Sequence, residues 1–159
     1  MSYEQQFYLK RNERKVKSDS YVGDDIFFTC GQRDTERLFA CAGTRKGDSY
    51  IVFNLAQASS LLASLSNEVI SLLTQFAKVD EEFYEMISRE EISADRLSLN
   101  CYAILYSMKN SIDDTRFALP FYSSFNTDEP IRLLCRYTQA IGRFVKEMDE
   151  SDELILYIC

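Results

Sequence analysis

Two stretches of this sequence carry the side chains needed to hold phosphates, and three aromatic residues beside them could stack on planar bases. Lys10-Arg11-Asn12-Glu13-Arg14-Lys15-Val16-Lys17 and Arg45-Lys46-Gly47 concentrate positive charge. Phe27, Phe39 and Tyr50 lie in segments that read as short strands, on the strand face that also carries Arg37. Cationic side chains neutralise the phosphate backbone, and rings on an open sheet stack against unpaired bases. The expected nucleic-acid contacts are therefore Lys10, Arg11, Arg14, Lys15, Lys17, Arg37, Arg45 and Lys46 for phosphates, with Phe27, Phe39 and Tyr50 for bases.

What is absent narrows the chemistry further. The sequence has no histidine, so the commonest general base near neutral pH, imidazole metal ligands and Ser–His or Cys–His nucleophile pairs are all missing. It has no C-x-x-C pair for a zinc knuckle, no GxxxxGK[ST] loop and no GxGxxG fingerprint. Carboxylate runs such as Asp80-Glu81-Glu82 and Asp113-Asp114 read as solvated helix and turn surface. The expectation is a binding protein, not an enzyme, with no catalytic residues, no metal and no cofactor.

The formal net charge of −7 is unevenly spread. Residues 1–50 hold nine Lys/Arg against eight Asp/Glu, whereas residues 51–159 hold nine against seventeen. An acidic whole-molecule field repels phosphate, which argues against indiscriminate binding but leaves a local basic strip free to act. Five widely spaced cysteines are odd in number and are expected to be reduced thiols. No apolar run reaches the length of a membrane span, and the first residues lack the apolar centre of a signal peptide. The expected setting is intracellular, nucleus or cytoplasm, away from membranes.

The elements that must position these residues follow from periodicity. Gln6–Lys10, Asp25–Cys30, Arg37–Ala42 and Tyr50–Phe53 read as strands joined by tight connections, an antiparallel meander. Asn54 and Gln57 approximate a capping box for a helix from Leu55 to Phe76, whose apolar face is Leu55, Ala58, Leu62, Leu65, Val69, Leu72 and Phe76. The same steps continue toward residue 91. Leu97–Met108 and Phe117–Phe125 read as paired strands, the second interrupted by Pro120. A second helix with Pro130 in its first turn carries Ile131, Leu134, Thr138, Ile141, Val145 and Met148, and Leu154–Ile158 closes as a strand. The expected class is α+β: antiparallel strand meanders, each followed by a long helix packed on one sheet face. One domain over 1–159 accommodates this, and a division into strand–helix units 1–91 and 92–159 stays open.

The segment Arg45-Lys46-Gly47-Asp48-Ser49-Tyr50-Ile51-Val52-Phe53-Asn54-Leu55-Ala56-Gln57-Ala58 resembles the R-K-G-I-S-L-x-L-E-Q-W signature of the transcriptional coactivator family called positive cofactor four. On that resemblance Arg45, Lys46 and Gly47 match the basic turn, Ile51, Phe53 and Leu55 the inward strand positions, and Gln57 the helix-start glutamine. It covers about residues 20–76, with Asp48 and Ser49 as additions and Ala58 in place of the tryptophan. The resemblance implies a homodimer that binds single-stranded DNA on a curved four-stranded sheet. The paired strand–helix units also look like the duplicated Whirly and Pur-type relatives. Together these lead to the expectation of sequence-tolerant binding of single-stranded DNA or RNA in transcription or replication, and of a homodimer. Surplus apolar residues at Leu61, Ile70 and Leu73 point the same way. A monomer whose halves cover each other, and an adaptor that keeps the fold without the ligand, are the rivals.

Overall fold

Strict alternation in Gln5–Arg11 (β1) buries Gln5, Phe7 and Leu9 and turns Gln6, Tyr8 and Lys10 the other way. The chain reverses at Asn12 and Glu13, both with positive φ (50° and 62°), as in the tight hairpins that match strand twist. It returns as Arg14–Tyr21 (β2). In the computed structural model, which describes residues 5–21, 30–77, 118–125 and 130–159, seven further elements follow. They are Cys30–Ala42 (α1), Thr44–Lys46 (β3), Tyr50–Phe53 (β4), Leu55–Ala77 (α2), Pro120–Ser124 (α3), Pro130–Glu147 (α4) and Glu153–Ile158 (β5).

The strands form one antiparallel sheet in the order β2-β1-β5-β4-β3, so the fold is α+β. The expected closing strand is its centre. Leu154 and Leu156 of β5 stand opposite Leu9 and Phe7 on one side and Phe53 and Ile51 on the other, all on the same face. Helices α1, α2 and α4 gather over that face. Phe39 of α1, Leu65, Leu72 and Leu73 of α2, and Leu134, Tyr137 and Ile141 of α4 are fully buried there with Phe7, Ile51 and Phe53. Each such side chain contributes roughly 1.5–3 kcal/mol of burial. Segments from 1–91 and from 92–159 thus share one sheet and one core.

The joint into α2 forms as its sequence implies. Gln57 N–H donates to Asn54 Oδ1 at 2.8 Å, and Asn54 N–H donates to Gln57 Oε1 at 3.0 Å, a reciprocal capping box. Gly43 lets the end of α1 pass close over β4. A Cβ there would lie 2.7 Å from the Phe53 ring and 2.9 Å from Ile51 Cγ2. At the far end of the sheet, Arg11 forks onto Asp152, Nε to Oδ1 and Nη2 to Oδ2, both 2.7 Å.

Three expectations change. Arg37–Ala42 is the second half of helix α1, not a strand. Its true period shows in Thr35 and Phe39, four residues apart and both buried, while Arg33, Arg37 and Cys41 are exposed. Pro120 opens the short helix α3 instead of breaking a strand, because its fixed φ suits a first helical turn. The amides of Phe121 and Tyr122 then donate to the buried Glu68 carboxylate of α2, at 2.8 and 2.9 Å. Lastly, Leu61 and Leu73 are 1% and 0% exposed within the chain's own core, and the Ile131–Met148 seam lies against α2. Of the apolar surplus that suggested a dimer, Ile70 alone stays exposed, at 38%. Of the expected strand Asp25–Cys30 only Cys30 is described, and it begins helix α1; the expected strand at 97–108, the helical continuation past Ala77 and the residues before Pro130 lie outside the described residues. No helix among the described residues is long and apolar enough to cross a membrane.

Candidate nucleic-acid interface

The opposite face of the sheet carries no described helix, and register fixes what it presents. One row across it reads Lys46, Tyr50, Tyr157 and Gln6, from β3, β4, β5 and β1. The next row reads Thr44, Val52, Ile155 and Tyr8. A third sets Glu153 opposite Lys10, which in turn stands opposite Lys15 of β2. Four inter-strand gaps of about 4.8 Å make this face roughly 19 Å wide from β2 to β3.

Its centre is aromatic. The Tyr50 and Tyr157 rings lie 5.1 Å apart, tilted by 37°, and Tyr50 is 42% exposed. Lys15 Nζ stands 5.1 Å over the Tyr8 ring, a cation–π contact. Burial, and then the neighbouring Tyr50, push the Tyr8 hydroxyl pKa above its ordinary value. The phenol therefore stays neutral at physiological pH and keeps its proton to donate. Val52 is half-buried and Ile155 is buried, an apolar row beside the tyrosines. Lys46 and Lys15 are exposed at the two margins, with Lys10 half-buried beside Lys15. The arrangement offers flat rings to stack against, an apolar row and cations at both ends.

The expected contact residues divide between this face and elsewhere. Lys10, Lys15, Lys46 and Tyr50 are on it. Phe39 is not: it lies 0% exposed in the core, with its ring 6.0, 5.4 and 5.2 Å from those of Phe7, Phe121 and Tyr137. Stacking on a base there would require opening the helix layer. Arg11 is committed to Asp152, and Nη2 also lies 3.6 Å from Asp149. Arg45 turns to the helix side and pairs with Glu36 of α1, while Arg37 is exposed on that helix. Arg14 is exposed beside the hairpin, opposite Arg11, and Lys17 stands opposite Leu9 in register. Phe27 lies outside the described residues.

Tyr8, Tyr157 and Gln6 were missed by sequence reasoning. Their signal was the odd position in each alternating strand: Tyr8 between Phe7 and Leu9, Tyr157 between Leu156 and Ile158. Among the described residues no group of His, Cys, Asp or Glu could hold a metal ion, and Cys41, Cys135 and Cys159 form no disulfide.

Comparison with family models, with curated proteins and with solved structures found no match for this chain. Its sheet has five strands, whereas the positive cofactor four resemblance implies four. Helix α1 separates β2 from β3, and β5, from the far end of the sequence, lies between β1 and β4.

Proposed function

We propose that the protein binds single-stranded DNA or RNA, with little sequence preference, across the sheet face on which no described helix packs, in transcription or replication. The observation that carries this is the Tyr50–Tyr157 pair with Tyr8 beside it, bounded by Lys46 on one margin and Lys10 and Lys15 on the other. Each base stacked on an aromatic ring contributes about 1–3 kcal/mol without regard to base identity. A duplex keeps its bases stacked inside and presents only charge, which the −7 net charge of the chain opposes at long range. Described residues of a single chain carry these rings and lysines together, so a twofold dimer adds a second surface and not a missing half. A protein partner is the second reading, favoured by the apolar Val52–Ile155 row and by Glu153 at the rim.

Fluorescence anisotropy with a labelled single strand and the matching duplex tests this. The single strand should bind more tightly. With three lysines each neutralising one phosphate, the log–log salt slope should be about −2. No detectable binding at low salt would overturn the proposal and favour the protein partner.

A further inference from the structure

On the helix side of the same sheet edge lies a shallow depression of about 400 Å³, lined by Arg33, Glu36, Arg37, Ala40 and Arg45. Arg33 and Arg37 are four residues apart on α1 and share its outward face. Ala40 follows one turn on and leaves room between the long side chains. Arg45 enters from β3, its guanidinium held by Glu36, with Nη1 3.5 Å from the Asp48 carbonyl. Arg37 has a weak companion in Asp34 at 3.5 Å, both well exposed, and Arg33 has no ion pair among the described residues.

Three guanidiniums line the depression against Glu36, with the Asp34 carboxylate beside Arg37, so positive charge stays in excess by one. Guanidinium forks match the oxygens of carboxylates and phosphates. The number of acceptor oxygens distinguishes between these candidates, because three guanidinium forks can each take a separate oxygen. A carboxylate or an internal phosphodiester brings one negative charge, whereas a phosphomonoester brings about 1.5–2 at neutral pH and three acceptor oxygens. We infer that this depression binds a phosphomonoester, the terminal phosphate of a nucleic-acid strand or of a free nucleotide, between Arg33, Arg37 and Arg45. Glu36 acts as a positioning residue that fixes Arg45. Lys46, next to Arg45 on β3, faces the tyrosine side, so a strand lying across the open face and leaving it over the β3 edge brings its end to the arginines. That route rests on the function proposed above; the phosphomonoester site does not.

The test is a titration of one single-stranded sequence carrying a 5′-phosphate, a 3′-phosphate or hydroxyl ends, against the wild type and Arg33→Ala/Arg37→Ala. Both arginines are exposed, so the variant should melt with the wild type. Exposed ion pairs contribute about 0.2–1 kcal/mol each, so three predict a preference of about 3- to 150-fold for a phosphorylated end. The variant should lose that preference and keep its affinity for the hydroxyl-ended strand. A nucleoside monophosphate, followed by its phosphorus NMR shift, forms the second arm. If it binds the wild type and not the variant while strand ends give no advantage, the site stands and its ligand is a free nucleotide. If no strand binds at all, the open-face proposal falls and the monophosphate arm alone decides the site. Wild type that neither prefers a phosphorylated end nor binds the monophosphate overturns the inference, as does a preference that survives in the variant.

Discussion

Replacing Phe39 by alanine separates a core role from a ligand-stacking role at one position. The side chain is 0% exposed and meets the rings of Phe7, Phe121 and Tyr137 at centroid separations of 6.0, 5.4 and 5.2 Å. These partners come from β1, α3 and α4, so no single element can move in to fill the space. Removing a buried phenylalanine costs about 3–5 kcal/mol through lost transfer energy and the cavity left behind. A chain of 159 residues falls in the size range where 1 kcal/mol moves the melting temperature by about 2–4 °C, which places Phe39→Ala roughly 6–20 °C below wild type. Phe39→Leu keeps most of the apolar volume and should lose about 1–2 kcal/mol. Urea unfolding followed by far-ultraviolet circular dichroism gives both values, with an unchanged m confirming the same unfolding reaction. At a temperature where both variants remain folded, single-strand affinity should equal that of the wild type. A stability loss below about 1 kcal/mol together with a tenfold loss of binding would refute the burial of Phe39 and return it to the surface.

Three further outcomes follow from the packing and the charges. The Arg11 fork, and then the Asp149 amide, hold the Asp152 carboxyl at about 2. This lies below the ordinary value of about 3.9, so its contribution to stability is present above that value and lost as pH falls through about 2. Asp152→Asn should remove that acid-dependent loss in a circular-dichroism pH titration. Glu68 behaves oppositely: burial raises its pKa, partly opposed by the Phe121 and Tyr122 amides. Its contribution is full below the unfolded value of about 4.3 and lost as pH rises through the folded one. Glu68→Gln should flatten that dependence. Glu68→Ala orphans both amides at about 1–3 kcal/mol each, which urea unfolding and faster exchange of those amides would show. Gly43→Ala should cost about 1–3 kcal/mol, because its methyl must displace the Phe53 ring and Ile51; a neutral melting temperature would contradict that close approach.

Where a period ran long enough, the sequence was legible. The face and capping box of α2, the β4 strand feeding it and the terminal strand β5 all carry their pattern in the residues themselves. The Arg37–Ala42 segment was not legible, since over six residues Arg37, Phe39 and Cys41 alternate as well as they fit one part of a helix. Thirteen residues of α1 are needed before Thr35 and Phe39 separate from Arg33 and Arg37. That one misreading moved Phe39 from core to surface. The open face was half legible. Tyr50, Lys10, Lys15 and Lys46 could be found from charge and alternation. Tyr8 and Tyr157 join them only because β5 pairs with β1 and β4, a contact spanning most of the chain. The Arg11–Asp152 fork was hidden for the same reason.

The central claim is that bases stack on the tyrosines of the open face, and the double variant Tyr50→Ala/Tyr157→Ala tests it most directly. The chain has no tryptophan, so its own tyrosine emission reports stacking without a label. On adding an unlabelled single strand, wild-type emission should be quenched. The double variant should bind about 2–6 kcal/mol more weakly, from two rings at about 1–3 kcal/mol each, while its melting temperature stays close to that of the wild type. Undiminished affinity in the double variant would contradict the claim and place the binding surface elsewhere.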